Sequence, residues 1–169
     1  MCLYHCSIEK YLPGAAIGPY PRSRFTEKQY REGYEWAERL LEQHRPADQP
    51  YGRENAVYAC DSAANAAIFL EGEYRAAKTI PSFYCYEVKA DLVSRCPMAL
   101  IRSLELAKGD DVRTKAIVAE YWTPTTRWRY WEYFGPAMTV VRDIRWPSDG
   151  TSARIDYSAD RELATRLGL

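Results

Sequence analysis

The most constraining feature of the sequence is an aromatic stretch near its C-terminus, TRWRYWEYFGPAMTVVRDIRW, over residues 126–146. Residues 128–134 are almost all residues that favour β-strands, and residues 138–144 resume this pattern after Gly135-Pro136. A proline in a central strand would remove a ladder hydrogen bond. The stretch therefore predicts two strands, and Pro136 marks a bend or a bulge between them or a position at the edge of the sheet.

One carboxylate, Glu132, lies inside this aromatic stretch, just before the predicted bend. A desolvated carboxylate has to be paired or functional, which makes Glu132 the candidate catalytic residue. The alternative is a structural ion pair with Arg127 or Arg129 on a half-solvated face. A predicted loop over residues 121–128 leads into the strands of this stretch, and we expect the indole of Trp128 to line the same cleft as Glu132.

Composition limits the class of protein. A chain of 169 residues that is 47% hydrophobic is expected to fold as one ordered domain, with a core over residues 2–146 and a C-terminal extension over residues 147–169. The equal numbers of basic and acidic residues, 23 each, give no overall basic excess that would favour nucleic acid. No apolar run is long enough for a membrane span, and the N-terminus has no targeting pattern.

The cysteines indicate a reducing compartment. The chain has five cysteines, an odd number, and no CxxC pair, which favours reduced thiols over a metal site or a disulfide framework. We therefore expect a cytoplasmic protein, with secretion as an effector left open.

The N-terminal residues 2–7 read as a short strand that carries His5. A loop rich in proline and glycine follows over residues 11–24, and loops held by a strand end are where ligand contacts concentrate. His5 is therefore a candidate binding residue, and its alternative role is a hydrogen bond within the sheet. Thr26 and Gln29 have the spacing of a capping box, which predicts an amphipathic helix from Thr26 to about His44.

A second candidate strand, residues 56–60, carries Tyr58 and is followed directly by Asp61-Ser62 and an alanine-rich helix. The N-terminus of a helix is a place where anionic groups bind, so Tyr58 and Ser62 are candidate ligand contacts. The alternative for Tyr58 is core packing. The sequence also predicts a strand over residues 83–88, a helix beginning near residues 109–111 and a terminal helix over residues 159–167. Together the predicted elements indicate an α+β fold.

Three segments carry a resemblance to a known family: LYHCSIEKYLPGAAIGP, VYACDSAANAAIFL and WEYFGPAMTVVRDI. Their order resembles the diphtheria-toxin-like class of ADP-ribosyltransferases, whose signature is a His, a Tyr and a Glu on three strands. The segments are similar to those of small bacterial transferases such as the rifampin-modifying enzymes, and to related uncharacterised bacterial domains. Cys6 stands where a glycine is usual in these proteins.

The resemblance implies a split antiparallel or mixed β-sheet with flanking helices, and NAD as the substrate. By this resemblance Glu132 holds the ribose 2'-hydroxyl and stabilises the charge that develops on the sugar, while Tyr58 stacks on the nicotinamide. His5 hydrogen-bonds the adenosine ribose, and Arg22 or Arg24 contacts the pyrophosphate, for which a guanidinium is suited. The two arginines have an alternative role as solvated loop charges.

The acceptor of the ADP-ribose is open. Tyr130 occupies the position two residues before Glu132, so the acidic pair of the arginine-modifying members is absent. The resemblance thus implies a non-arginine acceptor, which is another protein side chain, a nucleic acid or a small molecule. The role as a toxin, an effector or a housekeeping modifier also stays open.

Two other classes of function fit the same residues. The aromatic cleft could hold a nucleotide or a nucleic-acid base by stacking, without bond cleavage. The enrichment in aromatic residues and arginine is also typical of protein interfaces, which would make the chain an interaction domain.

Overall fold

The computed structural model describes residues 2–22, 24–73, 82–145 and 158–169. The described residues form seven strands and six helices, which confirms the α+β class. The strands are β1 (Leu3–Ser7), β2 (Ala16–Ile17), β3 (Val57–Cys60), β4 (Tyr84–Lys89), β5 (Ser94–Pro97), β6 (Trp131–Gly135) and β7 (Met138–Ile144). The helices are α1 (Arg24–Arg31), α2 (Glu35–Gln43), α3 (Ala63–Glu73), α4 (Ala99–Leu106), α5 (Asp111–Trp122) and α6 (Ser158–Arg166).

The strands form one sheet in the order β2-β7-β4-β1-β3-β6-β5, and each pair of neighbours is antiparallel. Side chains alternate between the two faces of a strand. On β3, Tyr58 and Cys60 therefore point to one face, where they join buried clusters with residues of the helices. Val57 and Ala59 point to the other face, where Tyr11 and Tyr20 of the loop after β1 pack against the sheet.

The sheet opens between its central strand, β1, and the neighbouring strand β3. β1 pairs with β4 along its whole length, from Leu3 with Val88 to Ser7 with Tyr84. With β3, in contrast, β1 shares the single register pair Tyr4 with Cys60 among the described residues. The two strands diverge beyond that pair and leave a cleft between them.

The predicted helix from Thr26 to His44 is wrong as one element, because Gly33 divides it into α1 and α2. Gly33 has φ of +83°, a conformation that favours glycine, and its N–H donates to the Tyr30 carbonyl at 3.1 Å. Thr26 is also not a cap. It lies inside α1, fully buried, and its hydroxyl donates to the backbone carbonyl of Arg53 at 3.4 Å.

The aromatic stretch forms β6 and β7 with the break at Pro136, as predicted, but β6 begins at Trp131 rather than at residue 128. The residues before it are held by other partners. The Trp128 indole donates to Glu120 at 2.9 Å, and the N–H groups of Arg129 and Tyr130 donate to the Asp160 carboxylate. These bonds fix the chain outside the sheet ladder.

The remaining differences concern short elements. β2, β5 and α4 were not predicted, and α5 extends over Tyr121 and Trp122, which the sequence placed in a loop. The terminal helix is confirmed as α6. Ala164 and Leu169 of this segment lie in the main hydrophobic cluster, the buried cluster that also contains Leu41, Leu104 and Ile117. Residue 146, the last of the predicted core, and residues 147–157 of the predicted extension lie outside the described residues. Among the helices that are described, none is long and apolar enough to cross a membrane.

Candidate active site

The cleft between β1 and β3 brings together three residues that the sequence singled out: His5, Tyr58 and Glu132. It is a cavity of about 50 Å³, partly open to solvent, between the diverging strands and α3. Its lining is mostly apolar and aromatic, with contributions from Tyr4, Cys6, Tyr20, Ala66, Phe69 and Leu70. The three candidates come from three neighbouring strands, β1, β3 and β6.

Glu132 is buried on β6, opposite Cys60 of β3 and Cys96 of β5. Its Oε1 atom accepts hydrogen bonds from the Arg53 guanidinium and from the Tyr121 hydroxyl. Arg127 and Arg129 are not its partners, and its surroundings are buried rather than half-solvated. Glu132 therefore does form a structural ion pair, but its partner is Arg53 rather than Arg127 or Arg129.

Arg53 lies between two carboxylates. Its Nε and Nη2 atoms donate to Glu38 of α2 at 2.9 and 3.3 Å, while Nη1 donates to Glu132. All three side chains are almost fully buried, with at most 6% of each exposed. One guanidinium thus faces two carboxylates in a site of low polarity, where charge interactions are strong.

This arrangement shifts the pKa values of the pair. Burial raises the pKa of Glu132 above its ordinary value, although the charge of Arg53 and the hydrogen bond from Tyr121 oppose the rise. Burial lowers the pKa of Arg53, but Glu132 and Glu38 outweigh it and hold that pKa well above the ordinary value. Arg53 is therefore always charged, and Glu132 is the group whose protonation can change.

The two oxygens of Glu132 have different surroundings. Among the described residues, the hydrogen bonds to this carboxylate both end on Oε1. Glu132 also lines the cleft. These two bonds therefore leave Oε2 as the second acceptor of the carboxylate.

The ring of Tyr58 packs against two other aromatic rings, those of Phe69 and Phe134. Its centroid lies 5.7 Å from that of Phe69, with an interplanar angle of 26°, and 5.5 Å from that of Phe134. The hydroxyl donates to the Arg53 carbonyl at 3.0 Å. Tyr58 is thus packed in the core, as its alternative role predicted, and it also lines the cleft.

His5 spans the gap between the diverging strands. Its Nδ1 lies 2.7 Å from the backbone carbonyl of Tyr58. Because a carbonyl only accepts, Nδ1 must carry the proton, and in the neutral ring the lone pair is then on Nε2. His5 therefore acts as a sheet hydrogen-bonder and lines the cleft as well.

No match to this chain is found among protein-family models, curated proteins or solved structures. The function therefore has to be inferred from the geometry of the cleft.

Arg22 and Ser62 lie outside the lining of the cleft. Arg22 is exposed, pairs with Glu54 at 3.3 Å and covers the ring of Tyr30 at 4.6 Å. Arg24 begins α1, and its side chain lies outside the described part of the structure. The Ser62 hydroxyl accepts from the Asn65 N–H at 3.1 Å, which caps α3.

Trp128 is buried in the core beside α5. Its bond to Glu120 directs the indole into the main hydrophobic cluster, so the expectation that it lines the same cleft as Glu132 is wrong.

Sequence reasoning missed Arg53, Glu38 and Tyr121. Arg53 lies in a polar connection, where no periodic pattern singles out one residue. Glu38 did carry a signal, because it lies three residues before the buried Leu41 and therefore on the apolar face of α2. A carboxylate on such a face needs a buried partner, and that partner is Arg53.

Proposed function

We propose that the chain binds NAD in the cleft between β1 and β3 and acts as an ADP-ribosyltransferase. The observation that supports the proposal is that His5, Tyr58 and Glu132 line one cavity from three neighbouring strands. A His, a Tyr and a Glu on three strands are the signature of the class that the sequence resembles. By analogy with that class, the sheet that opens between β1 and β3 corresponds to its split sheet.

Glu132 carries the chemistry in this proposal. Cleavage of the bond between nicotinamide and ribose leaves positive charge on the sugar, and a fixed carboxylate in a site of low polarity stabilises that charge. Oε2 accepts the ribose 2'-hydroxyl, while Arg53 and Tyr121 hold Oε1 and so fix the plane of the carboxylate. Nicotinamide leaves, and the sugar carbon then bonds to the acceptor.

Tyr58 and His5 orient the dinucleotide. The nicotinamide ring takes the place of Phe69 against the face of Tyr58, since that face is now stacked on Phe69. The adenosine ribose donates to Nε2 of His5. A cavity of about 50 Å³ is far below the roughly 300–1,000 Å³ of a typical ligand site, so NAD binding requires the cleft to widen.

The acceptor in this proposal is not an arginine, because Tyr130 stands where the arginine-modifying members have an acidic residue. A protein side chain, a nucleic acid and a small molecule stay open as acceptors. The proposed setting is the cytoplasm, which keeps free thiols such as those of this chain reduced.

The test is release of nicotinamide from NAD by the purified chain, compared with Glu132→Gln, which keeps the shape and removes the charge. Glu105→Gln is the matched control, because Glu105 is also a well-buried, arginine-paired carboxylate but does not line the cleft. We expect release by the wild type and by Glu105→Gln, and a loss of at least about 100-fold in Glu132→Gln. Equal release by all three proteins would refute the role of Glu132.

A second candidate function is nucleotide binding without catalysis. The observation that favours it is the ion pair with Arg53, which can satisfy Glu132 as a purely structural carboxylate. A binding module would bind NAD by calorimetry, release no nicotinamide and keep its affinity in Glu132→Gln. If the chain neither binds NAD nor releases nicotinamide, both nucleotide functions are excluded and the interaction domain is favoured.

A further inference from the structure

Three buried cysteines cluster beside the cleft, on the face of the sheet that α3 covers. Cys6 of β1, Cys85 of β4 and Cys60 of β3 lie in one hydrophobic cluster, and all three are free thiols. Cys6 and Cys60 line the cavity. This cluster has no part in the proposed NAD chemistry.

Cys6 and Cys85 have the backbone geometry of a disulfide. They are direct register partners in the antiparallel pair of β1 and β4, so their side chains start from the same face. Directly opposed residues in such a pair have Cα atoms about 4.5 or 5.5 Å apart, and disulfides span Cα distances of about 4.4–6.8 Å. Cys60 is opposed to Tyr4 rather than to Cys6, so it is offset from this pair.

We propose that Cys6 and Cys85 form a thiol modification site that a small peroxide oxidises to a cross-strand disulfide. Cys6 lines the cavity, so the peroxide reaches its sulfur first. The sulfur takes one oxygen as the O–O bond breaks, which gives Cys6 sulfenic acid and one water. The Cys85 sulfur then attacks the Cys6 sulfur and the S–O bond breaks. The departing hydroxide takes the Cys85 proton and becomes a second water.

Access decides the first step, because Cys6 lines the cavity, whereas the acidity of the two thiols favours only the second step. The interaction with Cys85, together with burial, raises the pKa of Cys6, whereas the interaction with Cys6 lowers the pKa of Cys85 despite its burial. Cys85 is therefore the better thiolate for the second step. The first step is slow because the Cys6 thiol rarely loses its proton.

The size of the cavity selects the oxidant. About 50 Å³ is enough for a molecule little larger than water, whose share of liquid volume is about 30 Å³. Hydrogen peroxide fits this space as it stands, whereas glutathione disulfide would need the same widening of the cleft that NAD binding requires. Cys2 is exposed and open to both reagents, so it is an internal control for reagent activity.

The experiment treats the reduced full chain with hydrogen peroxide or with glutathione disulfide and maps the peptides without reduction. We expect a peptide that links Cys6 to Cys85 after peroxide, its loss on reduction, and glutathione on Cys2 alone after glutathione disulfide. Cys96→Ser, which removes a buried thiol outside the cluster, should still form the link. A dominant link from Cys6 to Cys60, or peroxide oxidation confined to Cys2, would overturn the site. A Cys6–Cys85 link formed equally by glutathione disulfide would overturn the access route.

Discussion

Arg53 and Glu132 lie 79 residues apart in the sequence and form an ion pair in which both side chains are 2% exposed. The pair ties the connection before β3 to the start of β6, and the second carboxylate, Glu38, ties both to α2. A buried ion pair is weak evidence for stability in itself, because desolvation of the charges offsets their attraction. Removal of one partner, however, leaves a buried charge without compensation.

Arg53→Met is expected to lower the free energy of unfolding by about 3–5 kcal/mol, since two buried carboxylates lose their counter-charge. The measurement is urea unfolding at neutral pH. Arg22→Met is the matched control, because Arg22 pairs with Glu54 at the surface, where such a pair contributes about 0–1 kcal/mol. Similar losses in the two variants would contradict the central role of Arg53.

The titration of Glu132 gives stability a particular pH dependence. Its pKa is raised in the folded chain, so between the ordinary value of 4.5 and the raised value the folded state holds more protons than the unfolded state. This contribution to stability is present below pH 4.5 and is lost as the pH rises through the folded pKa. The free energy of unfolding of the wild type, relative to Glu132→Gln, should therefore fall with pH over that window in a series of urea titrations. A difference that grows with pH would show that the pKa is lowered instead.

The elements that could be predicted from the sequence are those with a local signal. The strands that carry His5 and Tyr58 follow from β-forming residues bounded by turns, and the break at Pro136 follows from the missing N–H of proline. The short strands β2 and β5 lack such a signal, because they are formed by their partners in the sheet. Gly33 ended a helix whose apolar spacing continued beyond it.

The site could be predicted only in part, for the same physical reason. Glu132 is conspicuous because it is a charge among aromatic residues, and burial of that charge was the correct inference. The identity of its partner is determined by the tertiary structure. Arg53 is distant in the sequence, whereas Arg127 and Arg129 are near neighbours on a chain that Asp160 holds away from the sheet.

Glu120 is expected to show the opposite pH dependence to Glu132. Burial raises its pKa, but hydrogen bonds from Trp128, Thr126 and Thr125 outweigh this and lower the pKa. Its stabilising effect is thus present above the unfolded pKa and is lost as the pH falls through the folded pKa. Glu120→Gln should cost about 2 kcal/mol at pH 7 and progressively less in acid, measured by urea unfolding. A cost that is independent of pH would mean that the charge of Glu120 is not what these donors recognise.

Substitutions at Gly14 and Gly18 distinguish the cost of backbone strain from the cost of a steric clash. Both have positive φ, +83° and +85°, but a Cβ at Gly18 would lie 2.7 Å from the Pro136 carbonyl and from Val57, while a Cβ at Gly14 meets nothing within 4 Å. Gly14→Ala should therefore cost about 1 kcal/mol, for the backbone alone. Gly18→Ala should cost about 2–4 kcal/mol in the same unfolding assay, because the loop must also move away from β3 and from the turn between β6 and β7. Equal costs would mean that the loop yields freely.

The stacking of Phe69 on Tyr58 makes a prediction about affinity. If nicotinamide replaces Phe69 against Tyr58, the ligand has to displace an aromatic pair that is worth about 0.5–1.5 kcal/mol. Phe69→Ala removes that competition, so NAD should bind about 2- to 10-fold more tightly by calorimetry, even though the variant is less stable. Phe83→Ala is the matched control, because Phe83 is also partly buried but does not line the cleft. Weaker binding by a folded Phe69→Ala protein would mean that Phe69 itself contacts the ligand, and the nicotinamide would then have to lie elsewhere in the cleft.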